Sequence, residues 1–447
     1  MKHILQSSIL FIGLFFSIAV SAQTLEKVYI LNEGAFNNSN ASVTSFNPVT
    51  NQVSQNIFFN TNGRVLGDIS NYSALINEKL YIIVSNSNKI EVVNPESFAS
   101  EAIIFVDDFG GSSPAFIQQV SDSKAYITNL TGNHVSILNL NTNAITGSIE
   151  VGNNPEGIAV SNGKAYVAVN GFGSDNKLAV IDISTDEVIK TLTVHDNPRQ
   201  PVVDENGFVW VISTGDYGFD DDFNYDPDLE TFGEIHIIDP EEDVVTDIIE
   251  IGGHPARMAM DFENGLIYIS NDGIQVVEME NRMVQDELLS STNYYSVFYW
   301  HGDEPGLFAT KVPDFSSSGS VDILNVDGSL RQSFTAGIGP SFVQFIFDET
   351  STSVPHTELA EQIRLHQNYP NPFNPTTSIR FELSDAMDIK LEVFNVLGQR
   401  VAILSDGFTA AGQHTVSFSG QHLPSGMYAY RLQTGTEILT RKMMLVK

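Results

Sequence analysis

Cysteine is missing from all 447 residues. Its absence excludes disulfide cross-links, a thiol nucleophile and the lipid-bearing cysteine of a lipoprotein signal, so stability has to come from packing alone. Long apolar runs are missing as well. The one candidate, Ile9 to Val20, is 12 residues long, too short to span a bilayer. Preceded by Lys2 and followed by Val20-Ser21-Ala22, it reads as a signal peptide over residues 1–22, cut ahead of Gln23. The mature chain is then expected to carry no transmembrane segment. Familiar catalytic signatures are also lacking: there is no Gly-x-Ser-x-Gly elbow, no His-Glu-x-x-His helix and no phosphate-cradling glycine loop. The expectation is a non-enzymatic protein without an organic cofactor.

Lysine and arginine are scarce. Residues 23–348 hold 46 Asp and Glu against 13 Lys and Arg, a net of −33, whereas residues 366–447 hold 6 against 7. The deficit excludes nucleic acid and anionic membrane surfaces as partners. It leaves cationic groups, divalent metals, or simple solubility outside the cell as uses for the acidity. The shift in charge also marks a boundary. Residues 349–365, with Ser351, Thr352, Ser353 and Pro355, read as a polar linker between a large domain at 23–348 and a small one at 366–447.

What the large domain does have is repetition. A short strand of the type Val28-Tyr29-Ile30-Leu31 recurs as Leu80-Tyr81-Ile82-Ile83, Ala125-Tyr126-Ile127-Thr128, Ala165-Tyr166-Val167-Ala168, Phe208-Val209-Trp210-Val211, Leu266-Ile267-Tyr268-Ile269 and Leu307-Phe308-Ala309-Thr310, seven copies in all. A turn and a second strand follow each copy, then a third strand leads through a Pro-containing turn to a fourth, as in Pro155 to Val160. Four short strands per repeat predict an all-β fold, a seven-bladed β-propeller.

The phrases Val151-Gly152-Asn153-Asn154-Pro155-Glu156-Gly157, Lys164-Ala165-Tyr166-Val167 and Leu178-Ala179-Val180-Ile181-Asp182 resemble the repeats of YVTN-type surface-layer propellers, over most of residues 27–348. The resemblance implies that the Pro-led strand lies innermost, against the channel. The chain begins with a second strand and ends on an innermost one, Ser341 to Phe347, so both ends are expected in one blade, closing the ring without an exposed edge. Some propellers of this type capture cobalamin for uptake, but those are lipoproteins.

The tail opens with Asn368-Tyr369-Pro370-Asn371-Pro372-Phe373-Asn374-Pro375, a stiff lead-in where prolines remove backbone donors. Alternating segments at Ser378–Leu383, Ile389–Asn395, His414–Phe418, Met427–Gln433 and Ile438–Val446 predict a small Ig-like β-sandwich. Three phrases resemble the type A C-terminal sorting domain of the type IX secretion system: Val393 to Gln399, Leu423 to Tyr428 and Arg441 to Lys447. The motif positions are Asn371, Pro372, Phe373, Asn374, Pro375, Gly398, Gly426 and Tyr428. The resemblance implies handling by the type IX machinery and export through the periplasm and across the outer membrane, to the cell surface or the medium.

Because successive blade strands run antiparallel, the turn before each innermost strand opens on the same face as the turn between the second and third strands. These turns ring the channel mouth and supply candidate ligand-binding residues: Phe116, Glu156, Arg199, His254, Arg257, Tyr294 and Phe342. Two arginines just after proline can clamp a carboxylate or phosphate, with Tyr294 or Phe342 covering an apolar part. Alternatively, each arginine pairs with a carboxylate such as Glu156 and ties blades together. An acidic insertion from Gly215 to Gly233 resembles a calcium loop through Asp220, Asp222, Asp226 and Asp228, with Tyr225 where a calcium hand needs glycine; a solvated acidic loop is the alternative. His134, His195 and His254 fall on the same face, and three histidines can hold a transition metal. The expected function is binding of a small nutrient, glycan or peptide, or adhesion. A lyase- or lactonase-type propeller enzyme and a purely structural surface-layer component are the competing readings.

Overall fold

The computed structural model describes residues 25–347 and 363–447, apart from Ser174, residues 221–223, Asp303, Tyr369 and residues 384–385, 396–398 and 435–437. The expected signal peptide, most of the expected linker, Asp222 and Gly398 lie outside the described residues. The chain divides into two compact units, residues 1–353 and 354–447.

The first unit is built from seven four-stranded antiparallel sheets. Blades 1 to 6 follow in chain order, with innermost strands Tyr72–Ile76, Pro114–Ser121, Pro155–Ser161, Pro198–Val203, Arg257–Asp261 and Ser296–Trp300. Blade 7 is composite: the last strand, Pro340–Phe347, lies innermost and pairs with the first, Leu25–Asn32, in the register Tyr29↔Gln344 and Ile30↔Val343. Ser42–Asn47 and Gln52–Ser54 complete it. Each innermost strand touches the next around a closed circle, blade 7 meeting both blade 6 and blade 1. The fold is a seven-bladed propeller closed by its two chain ends.

Middle strands lie between neighbouring blades and are apolar on both faces, so Lys79–Val84 and Lys164–Val169 are buried at every position after their lysine. Outer strands face water on one side: in Ala144–Glu150 only Ile145 and Ile149 are buried. An apolar cluster fills each interface, such as Ile83, Ile90, Ile117 and Ile127 between blades 1 and 2, or Ile212, Ile237, Ile267 and Ile269 between blades 4 and 5. Each fully buried aliphatic side chain contributes about 1.5–3 kcal/mol, so the blades are stable as a ring.

The repeated aromatic of the second strand has a second task. It reaches the residue in left-handed conformation that turns the outer hairpin of the next blade. Tyr166 donates to Asp243 Oδ1 at 2.6 Å, and Tyr126 donates to Asp186. Tyr81 reaches Asn143 at 3.4 Å, Tyr29 packs on Phe98 at 4.8 Å, and Arg282 lies 4.6 Å over Trp210. All five partners have φ between 54° and 59°. Lys124 and Lys164, two residues before their tyrosines, reinforce the same carboxylates at 2.6 Å. The strand motif thus staples five of the seven interfaces; at the others the hairpin position is Gly328 or Asn51, and Tyr268 packs on Tyr299 instead.

The second unit is a two-sheet β-sandwich. Ile363–Leu365, Thr376–Leu383 and Gly412–Ser419 form one sheet; Met387–Asn395, Arg400–Thr409, Gly426–Gln433 and Ile438–Leu445 form the other. Phe381, Leu391, Val393, Tyr430 and Leu432 are among its core residues. The proline-rich lead-in packs along the last strand. Phe373 is buried, its N–H donates to Met444 O at 2.9 Å, and its carbonyl accepts from Val446 N at 3.0 Å. Asn371 Oδ1 accepts from Met444 N at 2.7 Å, and Gly420 N donates to Pro375 O at 2.7 Å. Tyr428 is buried with its hydroxyl on Pro424 O at 2.8 Å, and Gly426 adopts φ 148°, which a side chain would disfavour. Pro372 and Asn374 are exposed.

Candidate functional site at the channel mouth

Proline at the head of an innermost strand donates no ladder bond, and the pairing slips beside it. Register shifts fall between Pro114 and Ile117, between Pro155 and Ile158, and between Pro198 and Gln200. The residues in those bulges include Phe116, Glu156 and Arg199, and a bulge re-aims its side chain out of the ladder. Gly157 permits the close approach of blades 3 and 4, since a Cβ there would stand 2.1 Å from Arg199 O.

The mouth has two unlike arcs. One is aromatic: Phe116 of blade 2 lies 4.3 Å from Tyr72 of blade 1, Tyr72 lies 4.8 Å from Phe342 of blade 7, and Phe342 lies 5.4 Å from Phe298 of blade 6. The other is charged. Arg257 of blade 5 holds its guanidinium 5.0 Å over Phe298 and 5.4 Å over Phe342. Arg199 of blade 4 pairs with Glu156 of blade 3 at 3.2 Å and donates from Nε to Thr214 Oγ1 at 3.0 Å. Glu156 also accepts from Asn170 Nδ2.

These groups feel one another. Burial lowers the Arg257 pKa, against the pull of Tyr72, Glu156 and Tyr295. Glu156 raises that of Arg199 despite burial. Burial pushes the Glu33 carboxyl up, with Ser341, Tyr295 and Arg257 opposing. Burial and then Glu33 push the Tyr295 hydroxyl up, with Arg199 and Arg257 opposing. Glu33, Glu156, Arg199, Arg257 and Tyr295 therefore lie within electrostatic range of one another, with Arg199 and Glu156 in direct contact.

Of the residues expected there, Phe116, Glu156, Arg199, Arg257 and Phe342 come together. Tyr294 does not: it is buried and its hydroxyl donates to Asp322 Oδ2 at 3.0 Å, while its neighbour Tyr295 stands within the electrostatic influence of the arginines. Adjacent side chains on an extended chain point oppositely, which is why one faces blade 6 and the other the mouth. Tyr72, Phe298, Glu33 and Ser341 were not singled out by sequence. Tyr72 and Phe298 follow no proline, and Glu33 directly follows the first strand, which is contributed to the last blade.

His254 stands at the root of the acidic insertion. Its ring stacks on Tyr217 at 4.2 Å, Nε2 meets Glu230 Oε1 at 3.2 Å and Nδ1 meets Thr214 O at 3.1 Å. The insertion is a β-hairpin, Tyr217–Phe219 with Tyr225–Glu230. Asp220 Oδ1 accepts from Asn224 N at 2.8 Å and Asp226 Oδ1 from Asp228 N at 3.0 Å. Among the described residues no group of three or more His, Cys, Asp or Glu is arranged to hold a metal ion. The histidines do not share a site either: His134 Nδ1 meets Gly132 O at 2.8 Å, and His195 lies 3.5 Å from Glu234.

Comparison with known proteins agrees with this architecture. Residues 26–221 match the family described as Domain of unknown function (DUF5074), and residues 367–447 match the Secretion system C-terminal sorting domain. No curated protein matches the chain. Among solved structures, a quinonprotein alcohol dehydrogenase-like protein from Bacteroides thetaiotaomicron is similar with a TM-score of 0.54 and 14% identity, over 72% of this chain and 78% of that one. Kuenenia stuttgartiensis hydrazine synthase is similar with a TM-score of 0.51 and 15% identity, over 70% of this chain and 99% of that one. At such identities the likeness concerns the fold. Among the described residues no helix is long and apolar enough to cross a membrane. The C-terminal unit belongs to the sorting-domain family of the type IX secretion system, and the protein is a seven-bladed propeller carried by it across the outer membrane, to the cell surface or the medium.

Proposed function

We propose that this exported propeller is a capture protein whose channel mouth binds a small ligand bearing one carboxylate or phosphate beside a flat apolar part. The observation that supports this reading is Arg257. Its guanidinium lies against Phe298 and Phe342, with no ion pair or hydrogen bond among the described residues. Cation–π contact contributes about 0.5–2 kcal/mol, which holds the group in place without satisfying its five donors. An anionic oxygen would satisfy them bidentately.

Arg199 is a second donor. It is 38% exposed and spends Nη1 on Glu156 and Nε on Thr214, which leaves Nη2 for a ligand. The alternative role of tying blades together therefore fits Arg199 in part, through Glu156, and Arg257 only through its contacts with the rings of Phe298 and Phe342. Phe342 and Tyr295 are placed to cover an apolar portion. Glu33 and Glu156 beside the arginines disfavour a polyanion, so a single anionic group fits best. His254 lines the rim through its hairpin contacts, and Tyr294 supports the wall.

A thermal-shift screen of the full chain against small carboxylates and phosphate monoesters, with and without a planar ring, tests the reading. Ring-bearing acids should stabilise the protein selectively, and the R199A/R257A variant should lose the shift. No stabilising acid, or an equal shift in the variant, contradicts it. Chemical conversion of a hit would make the mouth an active site.

A further inference from the structure

We infer that the face around the mouth is also a docking surface for an extended, neutral polysaccharide. The two faces of the propeller differ in their exposed aromatics. Loops on the mouth face present Phe36, Phe109, Phe172, Phe219, Tyr225 and Phe315, between 49% and 75% exposed, whereas the hairpins on the opposite face present Phe262, at 37%, and the helix Ile57–Asn62 bonded to one of them presents Phe59, at 44%, among the described residues. Scattered exposed rings need no explanation, but rings gathered on one face do.

Their geometry is specific. Phe219 and Tyr225 meet edge to face at 6.0 Å on the inserted hairpin, and Tyr295 and Phe315 meet at 5.9 Å beside the mouth. Phe109 and Phe172 adopt φ 61° and 59°, a region bulky residues seldom enter. Phe172 stands between Gly171 and Gly173, both also at positive φ, and the outcome is a ring 75% exposed. Backbone strain that drives an apolar ring into water points to a use for that ring.

Charge and spacing select the occupant. Exposed carboxylates adjoin two of the rings in sequence, Asp226 next to Tyr225 and Asp314 next to Phe315, fixed by their own turns: Asp226 accepts from Asp228 N at 3.0 Å and Asp314 from Ser316 N at 2.7 Å. They repel a polyanion. A protein partner would want one contiguous apolar centre with a polar rim, whereas here single rings and ring pairs stand on separate loops, Tyr225 and Phe315 each next to a carboxylate acceptor. A sugar ring matches such a ring-and-acceptor pair, with an apolar C–H face for stacking and hydroxyl donors at its edge. A chain of such rings spans separate loops.

Native electrophoresis of the full chain in gels containing soluble β-glucan, xylan or galactomannan, with alginate as the anionic control, tests this. Retardation is expected in at least one neutral gel and not in alginate. The F109S/F172S/F219S variant should bind at least about tenfold more weakly, the sum of three lost ring contacts, and F262S should bind normally. R257A should leave retardation intact, which separates this surface from the small-ligand site. No retardation in any neutral gel, retardation in alginate alone, or full retardation of the triple variant with an unchanged melting temperature overturns the inference; the first result turns attention to a cationic protein as occupant.

Discussion

Replacing Asp243 with alanine tests whether the repeated tyrosine motif holds the ring together. Asp243 is 7% exposed, and its carboxylate accepts from Tyr166 and from Lys164, each at 2.6 Å across the interface of blades 3 and 4. Hydrogen bonds to a charged group contribute about 1.5–3 kcal/mol each. Lys164 is 17% exposed and keeps Pro240 O at 2.9 Å, so its share is near the bottom of that range. Alanine at φ 54° adds about 1 kcal/mol of strain. The expected loss is about 4–5.5 kcal/mol. For a unit of about 320 residues, with an unfolding entropy of about 2.1 cal/mol/K per residue, that lowers the melting temperature by about 6–8 °C in calorimetry. D243N, which tolerates the left-handed turn and keeps one acceptor, should lose about half as much. Y166F combined with D243A should be less than additive. A D243A variant melting within about 1 °C of the parent, or full additivity with Y166F, would refute the staple.

Other outcomes follow from the same structure. Burial and then His195 hold the His236 pKa down to about 4, below its ordinary 6.5. The neutral form is favoured in the fold, so this stability is fully present above pH 6.5 and is lost as pH falls towards 4, about 3 kcal/mol in all. H236L should flatten the melting profile between pH 6.5 and 4, and an unchanged slope would show that another group governs that window. If Asp220, Asp222, Asp226 and Asp228 share a calcium ion, millimolar calcium should raise the melting temperature by mass action. No shift, or an equal shift after all four are changed to Asn, leaves a solvated hairpin. Deleting residues 366–447 should strand the propeller, folded, in the periplasm, and normal surface display of the truncated chain would contradict the sorting role of the tail.

The ring was legible because its units repeat. Tyr29, Tyr81, Tyr126, Tyr166 and Trp210 recur in short apolar strands, and the pairing of Leu25–Asn32 with Pro340–Phe347 follows from which strand type begins and which ends the chain. The proline turns marked where innermost strands start, so Phe116, Glu156, Arg199 and Phe342 could be assigned to the mouth. What failed were single-residue alternation and long-range partners. Tyr294 and Tyr295 differ by one position and face opposite ways. The link from Tyr166 to Asp243 spans 77 residues, and only its lysine–aromatic half shows in a repeat. The acidic insertion pairs with itself as a hairpin because Tyr217 and Phe219 alternate against Tyr225 and Glu230, a period that carboxylate spacing alone does not reveal.

Arg257, on the proposed reading, is held open for an anionic ligand. Isothermal titration of the best ring-bearing acid into the parent chain and into R257A measures it directly. Loss of a charge-assisted, bidentate contact of about 1.5–3 kcal/mol predicts affinity at least tenfold weaker in R257A, with a melting temperature no more than about 3 °C below the parent, since the guanidinium contacts only the rings of Phe298 and Phe342 among the described residues, worth about 0.5–2 kcal/mol. Undiminished affinity in R257A, or a large fall in melting temperature without a change in affinity, would assign the arginine to packing and contradict the proposed site.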